Sequence, residues 1–393
     1  MPVVHGDFEP GTDSGRREKP LLARDHSLCY ECFVKKIRYY ITGHGLGHAS
    51  RSCQIINTLR RRSPAIKVEV VSDAQAWFFA GFLDPAVPVR RRRLDIGVLQ
   101  KDSLIMREGE TFQACRMLMD RRDAIVAEEA HSLREDGVHL VAADIPALAF
   151  AAAAEAEIPG VGISNFSWDW IYGEMAPENP DGADVVRSMR RDYARSDLLL
   201  RLPFHGPCDA FRAIEDLPLV ARRSAGESVG VRRSLGIPAG VKVGLISFGG
   251  FGLRDFDFSS LAKIPGWFFL AENNLAADCA NIRIIPPGGI FYPDLVGAAD
   301  AVITKPGYGI VSEAIANDTA VLYTSRGAFP EQPLLVEGLH RYGRAREIDN
   351  DRLRRGEWGE DLEALLAQPS PSERPALNGD EVAADRLADL CGE

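Results

Sequence analysis

Two rhythms of apolar and polar positions run along the chain: short β-branched runs that predict strands, and longer amphipathic stretches that predict helices. The first strand is Ile37 to Thr42 (IRYYIT), which enters the turn Gly43-His44-Gly45-Leu46-Gly47-His48 and then a helical stretch from Ala49 to Arg62. Lys67 to Ser72 is a second strand, Gly109 to Arg134 one long amphipathic helix, and Val138 to Asp144 a strand ending in an acid. A helix over Ala147 to Glu157 and strands over Gly160 to Ser164 and Asp197 to Leu202 complete the first half. The second half restarts with Val241 to Phe248 running into Gly249-Gly250, then Trp267 to Leu270, Ile282 to Ile285 and Ala301 to Thr304. A helix beginning near Gly309, a strand from Ala320 to Thr324 and a helix from Gln332 to His340 follow. Such alternation predicts an α/β fold with parallel sheets covered by helices on both faces.

The 393 residues are too many for one ordinary core and predict two Rossmann-like domains, 37–222 and 223–370. Prolines and glycines from Pro203 to Gly226 suit the connection between them. Residues 1–36 carry no apolar run behind a basic start and are expected to be a disordered extension rather than a secretory signal, which makes the cytoplasm the expected location. Residues 371–393 form a tail with room for a helix. A net charge of −10 works against a nucleic-acid partner, and no apolar stretch approaches the roughly 20 residues that span a bilayer. The local exception is Arg90 to Arg93, either a solvated strand edge after Pro88 or a ligand contact. The seven cysteines are scattered, which predicts free thiols, and the Cys29/Cys32 pair lacks the companion ligands of a zinc site. No metal and no cofactor are expected.

Three places carry candidate chemistry. In the first turn, Gly45 and Gly47 let the backbone approach a ligand, and the free amides of a helix start favour an anion. This is not a phosphate-binding P-loop, because His stands where its Lys belongs, and it is a poor dinucleotide fingerprint. His44 and His48 titrate near neutrality and can accept a proton, with Asp144 as an orienting acid; packing or capping are the alternatives for all three. The second place is Lys305-Pro306-Gly307-Tyr308-Gly309 and the helix behind it, where amides face a diphosphate and Glu313 accepts from ribose hydroxyls or serves the helix dipole. Glu331-Gln332, in the loop after the next strand, suits vicinal sugar hydroxyls or caps a helix. The third is Asn165-Phe166-Ser167-Trp168-Asp169-Trp170, whose Asn165, Trp168 and Asp169 suit acceptor recognition if the cluster is not simply core.

Taken together, YYITGHGLGHASR, SNFSWDWIYGE, RLPFHGPCDAFR, DLPLVARRS, ISFGGFG, GWFFLAE and KPGYGIVSEAIANDTAVLYTSRGAFPEQPLL resemble the glycosyltransferase-like N-terminal region of plant L-arabinokinases and its stand-alone bacterial relatives. The match runs in order from Ile37 to Leu365, and the sugar-kinase half of the plant proteins has no counterpart here. More distantly, GHGLGHASR is similar to the N-domain loop of the peptidoglycan UDP-GlcNAc transferase and of the nucleotide-sugar hydrolase in pseudaminic acid synthesis. These resemblances imply a GT-B fold, two Rossmann-like domains facing across a cleft, with the acceptor on the N-terminal domain and the nucleotide sugar on the C-terminal one. They imply that His48, followed by Arg51, serves the reaction centre, with Gly45, Gly47 and Arg51 near phosphate. Glu313 would hold the ribose, and Glu331 with Gln332 the donor sugar. The chain departs from plant small-molecule glycosyltransferases in having Lys305-Pro306 before its glycines and no HCGWNS-type motif.

The reading that follows is a metal-independent hexosyl- or pentosyltransferase of the EC 2.4 class, with a UDP-sugar the favoured donor and the acceptor unassigned. Gly249, Gly250, Lys305, Gly307, Tyr308 and Gly309 would line the donor diphosphate, and His48 or else His44 would deprotonate the acceptor. A nucleotide-sugar hydrolase on the same fold and a non-catalytic sugar-nucleotide sensor are the alternatives.

Overall fold

The computed structural model describes residues 34–102, 104–249, 256, 258–272, 280–286 and 290–392, and residues 35–393 form one compact unit. Cys29, Cys32, Gly250, Cys279 and nearly all of the expected N-terminal extension lie outside the described residues. The strands are β1 (Lys36–Ile41), β2 (Lys67–Ser72), β3 (Val89–Arg91), β4 (Gln100–Asp102), β5 (Ile105–Met106), β6 (Leu140–Asp144), β7 (Gly160–Ser164), β8 (Leu198–Arg201) and β9 (Ile214–Asp216), followed by β10 (Lys242–Ser247), β11 (Trp267–Glu272), β12 (Ile282–Ile285), β13 (Ala301–Thr304), β14 (Ala320–Tyr323) and β15 (Ala345–Glu347). The helices of the first half are α1 (Gly45–Arg62), α2 (Ala76–Phe82), α3 (Glu108–Met119), α4 (Arg122–Glu135), α5 (Ala147–Ala156), α6 (Trp168–Met175) and α7 (Gly182–Tyr193). Those of the second are α8 (Ser228–Ser234), α9 (Tyr292–Ala298), α10 (Tyr308–Ala316), α11 (Gln332–Tyr342), α12 (Asn350–Arg354), α13 (Gly359–Leu366) and α14 (Gly379–Cys391).

Two parallel sheets result, β3-β2-β1-β6-β7-β8-β9 and β12-β11-β10-β13-β14-β15, with β4 and β5 as a separate hairpin. Each sheet starts at an inner strand, winds outward one way and then reverses, so the chain switches direction beside β1/β6 and again beside β10/β13. In doubly wound sheets the crevice outside the strand ends at such a switch is where ligands sit. Both glycine-rich turns occupy these positions: Gly43 to Gly47 follows β1, next to Asp144 at the end of β6, and Lys305 to Gly309 follows β13, next to the end of β10.

The strands agree closely with the hydrophobic pattern because both sheet faces are covered and the strands are nearly continuous apolar runs; β6, for example, is buried at all five positions. One element differs in kind. The predicted helix over 109–134 is two helices, because Arg121 takes φ −105 and ψ 3 and leaves the helical region without a proline or glycine to announce it.

A single apolar cluster joins the two sheets: Ile55 and Leu59 of α1, Val311 and Ile315 of α10, and Ala384 and Leu387 of α14 belong to it. Helix α14 therefore returns from the second half to pack on α1. Its Asp380 accepts hydrogen bonds from Gln54 Nε2 at 2.8 Å and Thr58 Oγ at 2.6 Å. No helix among the described residues is long and apolar enough to cross a membrane.

Candidate active site

Helix α1 begins at Gly45, four residues earlier than the hydrophobic pattern predicts, so His48 lies in its first turns rather than in a loop. Two glycines make this possible. Gly45 has φ +69, and a Cβ on Gly43 would come within 2.1 Å of the Asp73 carboxylate oxygen, so only glycine lets that acid lie against the turn. His48 is 7% exposed, with Nδ1 2.8 Å from Asp144 Oδ1.

The tautomer of His48 follows from its neighbours. Arg51 Nη2 is also 3.0 Å from His48 Nδ1, but it has better acceptors in Asp144 Oδ1 at 2.7 Å and Ser164 Oγ at 3.0 Å. Nδ1–H therefore donates to Asp144, and Nε2 keeps the lone pair that can take up a proton. Asp144 is fully buried, which alone would push its pKa up, yet the charges of Arg51 and His48 and their hydrogen bonds hold the carboxyl well below the usual carboxylate range. It stays an anion, able to orient the imidazole and stabilise the imidazolium.

His44 is arranged the opposite way. The backbone N–H of Val98 donates to its Nδ1 at 3.2 Å, so the ring proton sits on Nε2 and neither nitrogen offers a free lone pair. Burial, then the neighbouring charges of His48, Arg326 and Lys305, lower its pKa well below the ordinary histidine value. His44 is a neutral hydrogen-bond donor, and the expectation that it can stand in as the base is corrected.

Arg51 also departs from expectation. Its Nε bonds Asp144 Oδ2 at 2.7 Å, Nη1 bonds Asn165 Oδ1 at 2.7 Å, and the guanidinium lies 4.8 Å from the Tyr308 ring centre. At 4% exposed it is consumed in positioning Asp144 and is not free to meet a phosphate. The expected acceptor residues are likewise inside. Asn165 is fully buried and donates to Glu331 Oε1 at 2.8 Å, Trp168 donates to Asp95 at 2.9 Å within the core, and Asp169 is ion-paired with Arg190 at 3.2 Å. The aromatic cluster is packing: Trp168 stacks on Tyr172 and meets the His44 ring edge-on at 5.2 Å.

The second turn stands directly against the first. Gly309 and Gly47 touch, and a Cβ on Gly309 would meet the Gly47 Cα at 3.4 Å. The two helix starts converge as expected, but at this point they are in contact, with no room between them for a pyrophosphate. Gly307 caps α10 with no side-chain bond, so the amides of Tyr308, Gly309 and Ile310 lack helical acceptors. Tyr308 is buried against Arg51, Lys305 is half-buried, and Gly249 is exposed at φ +69 just past β10. Glu313 is 3% exposed and accepts from Arg222 Nε at 2.6 Å and Ser50 Oγ at 3.4 Å. Burial raises its pKa against the opposing pull of Arg222. It ties α10 to α1 and does not face a cleft wall.

Glu331 is 4% exposed, with Oε1 held by Asn165, whereas Gln332 is half-buried. Glu331 Oε2 has one long contact to Arg326 Nη1 at 3.5 Å, and the Gln332 oxygen accepts the Arg326 backbone N–H at 2.6 Å, which leaves its amide nitrogen without an acceptor among the described residues. Arg326 is the residue the sequence reading passed over. It is 7% exposed, stacked 3.9 Å over the Phe329 ring, and its buried Nε has no partner. Its place just past β14, at the ligand end of a parallel sheet, is the signal that could have found it. Asp95 was also missed. Burial, against hydrogen bonds from Thr42 and Trp168, pushes its carboxyl up to about 7.

L-arabinokinase of Arabidopsis thaliana is 31% identical over 358 residues, which is 89% of this chain but only 34% of the relative. The chain is a homologue of the N-terminal region of that kinase. It thus spans about a third of the relative's length. No protein-family model matches. The glycosyltransferase of kitacinnamycin superposes with a TM-score of 0.59 at 17% identity, covering 91% of this chain and 94% of that one. The calicheamicin glycosyltransferase CalG4 gives 0.57 at 16% identity over 91% and 94%. Phytolacca americana UGT2, solved with UDP-2-fluoro-glucose and pterostilbene, gives 0.59 at 11% over 91% and 100%. The fold is GT-B, two Rossmann-like domains.

Proposed function

We propose that this chain is a GT-B glycosyltransferase that moves a sugar from a nucleoside diphosphate sugar, UDP-linked by preference, to a hydroxyl acceptor without a metal. His48 Nε2 takes the acceptor proton while Asp144 stabilises the imidazolium. The acceptor oxygen bonds the anomeric carbon as the bond to the diphosphate breaks. Charge developing on the leaving diphosphate, lodged beside the contact of the two helix starts rather than between them, is met by the first-turn amides of α10 that face away from Gly47, by Arg326 and by Lys305. The carboxylate of Glu331 accepts and the amide of Gln332 donates to the sugar hydroxyls.

The observation that carries this reading is the His48–Asp144 pair: a buried imidazole with one nitrogen tied to an anion and the other left for a proton, held in the same half-turn region as a capless helix start and a buried arginine whose Nε has no hydrogen-bond partner. A second reading, hydrolysis of the nucleotide sugar, is favoured by the burial of Asn165, Trp168 and Asp169, which removes the expected acceptor contacts. Incubation with UDP-, GDP- and TDP-sugars, with and without an acceptor panel, separates the two. Nucleoside diphosphate release that requires an acceptor supports transfer; free sugar formed in buffer alone supports hydrolysis. Binding without turnover in either arm would overturn both and leave a sensor.

A further inference from the structure

The arginine run that the proposed reaction does not use lines a groove of its own. Edge strand β3 and the two residues after it place Arg90, Arg91, Arg92 and Arg93 along an open groove of about 450 Å³, flanked on the other side by Leu118 of α3 and Ile125 and Glu128 of α4, with Arg121 between them. That volume lies within the range of small-molecule sites and far exceeds a bare ion.

Charge along this groove is not balanced. Arg90 and Arg92 bind Glu129, at 2.8 and 2.7 Å, and that carboxylate is fully buried and also accepts the Tyr40 hydroxyl. Those two arginines therefore neutralise a core acid. Arg93 is ion-paired with Asp73, and Arg92 reaches Glu128 at 2.7 Å. Arg91 and Arg121 have no ion-pair or side-chain hydrogen-bond partner among the described residues, and both are exposed. A further donor, Arg90 Nε, is buried without a hydrogen bond, with Glu69 Oε1 4.0 Å away. In a chain of net charge −10, two arginines without an ion-pair partner thus lie beside one groove.

We infer that this groove binds a phosphorylated sugar or polyol at a site separate from the imidazole-bearing turn. Two free arginines match the charge of a phosphate monoester near neutral pH, and the guanidinium fork matches its oxygens. Glu128 supplies an acceptor for a hydroxyl, and Leu118 and Ile125 give the carbon skeleton an apolar wall. A membrane source of the phosphate is disfavoured by the acidic chain, which an anionic lipid surface repels.

The test titrates the full chain with glucose 6-phosphate, inorganic phosphate and glucose by calorimetry, and with vesicles containing phosphatidic acid by co-sedimentation. Saturable binding of glucose 6-phosphate is expected, tighter than inorganic phosphate, with none for glucose. Arg91→Ala/Arg121→Ala should weaken it at least about tenfold without moving the melting temperature of the free protein, since neither side chain has a partner to lose. Arg91→Lys should restore part of the loss, and Arg326→Ala, in the other half of the molecule, should leave it unchanged. Binding that survives the double substitution, binding abolished by Arg326→Ala, vesicle binding alone, or no binding to any probe would each overturn the inference.

Discussion

The two glycine-opened turns occupy equivalent positions in their sheets and are built for opposite tasks. The turn after β1 brings side-chain chemistry: two imidazoles, each fixed in one tautomer by a buried partner, Asp144 for His48 and the Val98 amide for His44. The turn after β13 brings backbone amides and the ammonium of Lys305, and has a second cation, Arg326, in the neighbouring loop. In the proposed reaction, proton handling and charge handling thus fall to different halves of the chain. They are joined by a hydrogen-bonded line from His48 through Asp144, Arg51 and Asn165 to Glu331.

The most severe break of this division is His48→Ala. Turnover should fall about 10²- to 10⁴-fold while nucleotide-sugar affinity stays near wild type. Steady-state rates alongside calorimetric binding decide it, and an equal loss of affinity would mean that the first turn binds charge as well.

A second test separates two buried acids on the imidazole side. Asp95, with a pKa near 7 in the folded chain against an ordinary 3.8, holds its proton where the unfolded chain has lost it. Stability should therefore decline as pH rises from about 4 to about 7, by on the order of 4 kcal/mol at most, and level off above. Asp144, held below the ordinary value, contributes the reverse: its stabilisation is present above about pH 4 and fades on acidification. Urea midpoints against pH for wild type and Asp95→Asn should show the neutral-range slope only in the wild type.

Smaller still, Arg326→Ala should weaken nucleoside diphosphate binding by roughly ten- to a hundredfold, the worth of a charged hydrogen bond, and Arg326→Lys should recover part of it. An unchanged Kd would return the diphosphate to the amides alone. The slightest effect is expected for Gly309→Ala. Its new methyl would meet Gly47 at ordinary contact distance in a helical position, so the unfolding free energy should move by less than about 1 kcal/mol. A larger loss would show that the seam between the turns has no slack.

Much of this was legible in the sequence because buried parallel strands are apolar without interruption and glycine turns follow them directly. β2, β7, β12 and β13 begin and end where the pattern puts them. His48 and Asp144 were legible as a pair because Asp144 ends β6 and His48 follows the glycine turn after β1. Burial was not. Residue type identifies Asn165, Trp168, Arg51 and Glu313 as able to contact a ligand, but only packing reveals that each is already engaged, with Glu331, Asp95, Asp144 and Arg222 respectively. Arg326 escaped for the converse reason: an arginine in a loop reads as solvent-facing until Phe329 and Glu331 are seen to enclose it.

The return of α14 to α1 has a consequence for biosynthesis. Residues 36–216 supply every strand of the first sheet, yet the flank of α1 carrying Gln54 and Thr58 meets its partner, Asp380, only when residues 379–391 arrive. During translation the earlier-made half must wait, with that flank unpartnered, until the ribosome has delivered the later one. Truncation just before Gly379 would strand it in that unfinished condition.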